Sequence, residues 1–119
     1  MKEKQIDEPK KPGSPSVVCP QIKIRKLYNS ILPELPEVKS TNRTVEAMVR
    51  KRWREDHKRQ SLDWWQNYFT GIRDMDFLMG KVNGKHFNAT FEWLVRPTNM
   101  SKVLNGNYKN KENTPWINF

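Results

Sequence analysis

The stretch 61-SLDWWQNYFTGIRDMDFLMG-80 decides the fold. Ser61 is a good helix cap, and Asp63 follows in the first turn, where the helix dipole favours a negative charge. Leu62, Trp65, Phe69 and Ile72 then recur at helical spacing on one face, with Trp64, Tyr68 and Met75 on the adjoining flank. This apolar arc is wider than a single packing partner requires, which predicts a central helix. So many rings in a basic chain allow two uses, a platform for stacked nucleobases or a hydrophobic core. Trp65 and Phe69 lie mid-stripe and read as core. Trp64, at the edge of the arc, is the ring to test for exposure, against packing on the N-terminal helix.

Upstream, Ser40, Thr41 or Asn42 can cap a second helix whose apolar stripe is Val45, Met48, Val49 and Trp53. Opposite that stripe, Arg43, Arg50 and Arg54 fall on one ridge, because spacings of seven and four nearly repeat the turn. Arg52 points among the apolar positions, where its stem snorkels along the core edge or its head finds a partner. Before this, Pro20 suits the first position of a helix carrying Ile24, Leu27, Tyr28, Ile31 and Leu32, stopped by Pro33 and Pro36. "LPELPEV" then reads as a rigid, extended connector.

Downstream, Gly80 closes a turn, and Asn83-Gly84 suits either a very short hairpin near residues 80–87 or a plain loop. "NATFEWLV" reads as a helix over 88–95 capped by Asn88, with Phe91, Leu94 and Val95 inward. Pro97 breaks it, and "TNMSKVLNGNY" supplies a last short helix ending near Gly106. The expected fold is a small all-α bundle of four to five helices over residues 19–108. A disordered linker (1–18) precedes it and a flexible tail (109–119) follows. The expected core is Leu27, Tyr28, Ile31, Val49, Trp53, Trp65, Phe69, Ile72, Phe77, Leu78, Phe91, Trp93, Leu94 and Leu104. In the tail, Trp116 and Phe119 are either a short docking peptide for a partner or an unused chain end.

At 119 residues the chain holds one domain at most. A mean hydropathy of -0.93 is polar, yet five Trp, five Phe and three Tyr suffice for a compact core. Twenty-two Lys and Arg against 13 Asp and Glu give a net charge of +9, which favours a polyanionic partner over a merely solvated surface. A single cysteine, Cys19, allows no internal disulfide and points to a reducing compartment. No apolar run is long enough for a membrane span, and "MKEKQIDEPKKPGSPSV" has no signal-peptide core, so a cytoplasmic location is expected.

No phosphate-binding glycine loop, nucleophile elbow or paired acidic nuclease motif occurs. His57, His86 and Cys19 lack metal-ligand spacing, and Asp74 and Asp76 read as helix-end residues before cation ligands. The expectation is therefore no enzyme, no catalytic or metal-ligating residue, no cofactor and no small-molecule substrate. The basic helix carries the functional reading. From Lys39 to Gln60 there are eight Lys or Arg and three Asp or Glu. Arg43, Arg50, Lys51, Arg54, Lys58 and Arg59, with Trp64 beside them, form the candidate nucleic-acid site. Arginine suits it because the planar guanidinium bonds phosphate bidentately. Phosphate contacts position a protein without reading bases, so specificity for sequence should be weak. The alternatives are a solvated helix face, partly paired with Glu46, Glu55 and Asp56, and an acidic protein partner.

Three segments in order resemble the C-terminal domain of phage and prophage replication initiation proteins, the replication protein O-like family. "IKIRKLYNSILPELPEV" is similar to that domain's opening helix and proline connector. "RKRWREDHKRQSLDWWQNYFTGIRDMDFLMG" resembles its basic helix, its Trp/Phe helix and the closing Phe-Leu-x-Gly. "FNATFEWLVRPTNMSKVLNGNY" resembles its final segment. The likeness covers about residues 20–108. Asn105 stands where the family usually carries an acidic residue, and Phe87 where it often carries Trp. Longer relatives place a winged-helix DNA-binding domain before a polar linker, and this chain begins inside what resembles that linker, as a truncated prophage product would. The resemblance implies a role in phage DNA replication, through contact with DNA or recruitment of the replicative helicase or its loader. An inactive truncated remnant would look the same.

Overall fold

A computed structural model describes residues 18–110, and every element in this span is helical. The elements are α1 (Gln21–Ile31), α2 (Arg43–Glu55), a 3-10 turn (His57–Arg59), α3 (Leu62–Arg73), α4 (Phe91–Val95) and α5 (Pro97–Leu104). The all-α bundle expected from periodicity is therefore the fold. Residues 1–17 and 111–119, with Trp116 and Phe119, lie outside the described residues.

The helix starts follow from side-chain oxygens that take the otherwise unsatisfied first N–H groups. Asn42 accepts from the Val45 amide at 2.9 Å, and Ser61 accepts from the Trp64 amide at 3.2 Å. Pro20 is the cap of α1 rather than its first residue, and Pro97 opens α5. Gly106, at φ +84, ends α5 in a left-handed turn that lets Gly106 donate to Val103 and Asn107 to Lys102.

α3 is the central helix. α1 packs along it, and Trp65, Phe69 and Ile72 are fully buried. Tyr28 from α1, Phe69 from α3 and Phe91 from α4 meet ring to ring, with centroids 5.2 to 6.5 Å apart. Tyr28 also donates to the Pro36 carbonyl at 2.7 Å, and burial pushes its hydroxyl up to about 12. Asn29 clamps the backbone of Val38 through both amide atoms. The proline connector is not extended throughout: Pro33 and Glu34 form a turn that carries Leu35 into the core. Arg73, at the end of α3, donates to the Ile31 carbonyl and pairs with Glu34, which fastens that turn.

Several expectations need correction. The helix read over 88–95 is only Phe91–Val95, capped by Thr90 and not Asn88, because the Thr90 hydroxyl reaches the Trp93 amide. Residues 80–87 hold no strand; Lys85 donates to Val82 in a turn with Gly84 at φ +80. Lys81, Lys85 and His86 are all exposed there, so a hairpin would have no face to bury. Leu104 is 47% exposed, since the turn of α5 gives the inward positions to Met100 and Val103. Leu27, Ile31, Phe77 and Trp93 are half-buried packing around the core. Lys109 and Asn110, assigned to the tail from sequence, lie within the described residues, where the Asn110 side-chain amide donates to the Asp74 carbonyl and accepts from the Asp76 N–H.

Candidate nucleic-acid interface

α2 is amphipathic about a fixed inward direction. Val45, Val49 and Trp53 are buried, and Arg52 shares their side with 3% of its surface exposed. Its guanidinium makes two bonds to Glu55, at 3.0 and 2.7 Å, and a third to the Val95 carbonyl at 3.2 Å. Arg52 thus ties α2 to the end of α4, and its charge is spent inside the domain.

Arg59 shares that fate. From the 3-10 turn it returns to Glu55 at 2.9 Å and to the Arg52 carbonyl, leaving its side chain 17% exposed. Burial raises the Glu55 carboxyl, but the bonds and charges of Arg52 and Arg59 outweigh this and hold it below the ordinary glutamate range. The Arg59 guanidinium also lies over the Trp64 ring, 5.3 Å from its centroid.

Trp64 is half-buried and engaged on several sides. It stacks on Tyr68 at 5.3 Å with 18° between planes, and meets Trp65 edge-on. Tyr68, read as flank, is buried: its hydroxyl donates to the Leu94 carbonyl at 2.8 Å, and burial pushes its ionisation far up. The Trp65 indole N–H bonds the Arg59 carbonyl. These contacts turn the rings of α3 toward packing and leave no broad stacking platform there.

The remaining cations behave differently. Arg43, Lys51, Arg54 and Lys58 are exposed and Arg50 is half-exposed. Among the described residues none of the five enters a salt bridge. Glu46 on the same helix accepts from Thr41, and Asp56 caps the 3-10 turn by accepting from the Lys58 amide. Arg43, Arg50 and Arg54 share the outward side of α2, Lys51 lies a quarter turn round, and Lys58 follows in the next turn. Of the seven candidate residues, five therefore remain on the surface while Arg59 and Trp64 are held against the fold.

Arg50 and Arg54 also line a groove of about 290 Å³ with Cys19, Gln21, Trp53 and Gln60. Sequence reasoning missed this groove, because Cys19 and Arg50 are far apart in the chain and only packing of α1 beside α2 joins them. Gln21 secures that packing with a bond to the Glu46 carbonyl.

The chain matches no family model, no curated protein and no solved structure. Among the described residues no helix is long and apolar enough to cross a membrane.

Proposed function

We propose that this is a non-enzymatic DNA-binding module that holds the phosphate backbone with the outer face of α2 and reads sequence weakly. One observation carries this reading: Arg43, Lys51 and Arg54 stay exposed and Arg50 half-exposed with no carboxylate partner among the described residues, while inward arginines nearby are paired. Unneutralised cations on one rigid helix release counterions from a polyanion at little ordering cost. The place in phage DNA replication and the prophage origin rest on the sequence resemblance alone, and the cytoplasmic setting on the single cysteine and the apolar pattern of the sequence.

A second reading is a protein-docking module for the replicative helicase or its loader. It draws on a cavity of about 500 Å³ beside Phe77 and Tyr108, whose rings stack at 5.7 Å. Titrating labelled single- and double-stranded DNA at low salt separates the two. DNA binding that weakens steeply with salt supports the first reading. No binding at low salt, with capture of a replisome component after nuclease treatment, supports the second.

A further inference from the structure

We propose that the groove between the start of α1 and the outer face of α2 is a seat for one phosphate group, held by Arg50 and Arg54 beside Cys19. The inference deepens the DNA reading and rests on it only for the molecule that carries the phosphate. Arg50 and Arg54 are four residues apart, so their side chains are neighbours on the helix surface. Both line the same groove, and among the described residues neither has a carboxylate partner. Two arginines lining one small concavity match a tetrahedral oxyanion, since their guanidinium groups offer donors for several oxygens at once.

The surroundings agree with an anion. Burial pushes the Cys19 thiol up to about 11 while the charges of Arg50 and Arg54 pull it down, so both cations act on this one spot. α1 begins beside the groove, which Gln21 lines; its cap Pro20 brings no side-chain oxygen, and the Cys19 carbonyl takes the Gln21 N–H. Gln60 adds an amide at the edge. At about 290 Å³ the groove lies at the lower edge of the ligand-pocket range and has room for a phosphate whose remaining molecule stays outside.

Cys19 is the only cysteine in the chain, so thiol labelling is a footprint of this groove alone. The full chain is labelled with a maleimide at low salt, alone, with inorganic phosphate, or with a duplex oligonucleotide whose binding is followed by anisotropy. Phosphate and bound duplex should each slow labelling of Cys19 several-fold. Arg50→Gln with Arg54→Gln should abolish the protection ratio, and Lys85→Gln, an exposed cation outside α2, should keep it. The double variant labels more slowly without ligand, since the thiolate loses two cations, so ratios within each protein are compared. Duplex bound with Cys19 labelled as fast as before overturns the phosphate seat and leaves the DNA reading standing. Protection by inorganic phosphate without duplex binding keeps the seat and removes the DNA reading. No protection by either ligand, or full protection in the double variant, overturns the seat.

Discussion

Arg52 and Arg54 stand two residues apart in α2 and have opposite surroundings. Arg52 is buried, bonded twice to Glu55 and once to the Val95 carbonyl, whereas Arg54 is exposed without a salt bridge among the described residues. Two residues turn a helix by about 200°, so adjacent arginines in one basic run reach different media. The comparison teaches that charge density along a sequence overstates the charge offered to a partner. Arg59 and Arg52 both discharge into Glu55, and the ridge of Arg43, Arg50 and Arg54 keeps its field.

The rings of α3 give the largest effect with which to break this division. Trp65→Ala removes a fully buried ring and should destabilise the fold by about 3–5 kcal/mol in chemical denaturation. Trp64→Ala should cost clearly less, because that ring is half-buried at the edge. Equal losses would contradict the separation of core from flank.

Next comes the arginine pair itself. Arg52→Ala leaves the Val95 carbonyl without its donor and should cost about 1–3 kcal/mol, while Arg54→Ala should stay within about 0.5 kcal/mol. DNA affinity should respond the other way, falling for Arg54→Ala and holding for Arg52→Ala at temperatures where the variant is folded. A matched pair of denaturation and anisotropy curves checks both.

A smaller effect is carried by pH. The folded Glu55 carboxyl is held below its unfolded value, so its contribution is complete above the ordinary glutamate range and is lost as pH falls through the lowered value. Stability should therefore decline on acidification with a slope that Glu55→Gln flattens. A modest effect confined to the fold is expected at Gly80, where φ is +74 and an added Cβ would sit 2.6 Å from the Asn88 side chain. Gly80→Ala should cost about 1 kcal/mol and leave DNA affinity unchanged.

Much of this division was legible in the sequence. Helical spacing placed the α3 stripe, the outward ridge and the inward direction of Arg52, and residue type gave the Ser61 cap but left the α2 cap open among Ser40, Thr41 and Asn42. Hidden were features set by contacts distant in the chain. Tyr68 is buried because the Leu94 carbonyl takes its hydroxyl, and Arg59 turns inward because Glu55 is shared with Arg52. Thr90 displaced Asn88 as a cap through local geometry that composition does not distinguish. The Cys19 groove exists only once α1 lies beside α2.

The central claim is that the outward ridge, and not the basic run as a whole, holds DNA. Its most direct measurement is the salt dependence of duplex binding for the wild-type chain and for Arg43→Glu, Arg50→Glu and Arg54→Glu combined, with circular dichroism to confirm folding. The wild type should lose affinity linearly in log salt, with a slope of roughly -0.9 for each phosphate neutralised, and the folded triple variant should not bind. Salt-independent binding, or a folded triple variant that binds like the wild type, would contradict the account.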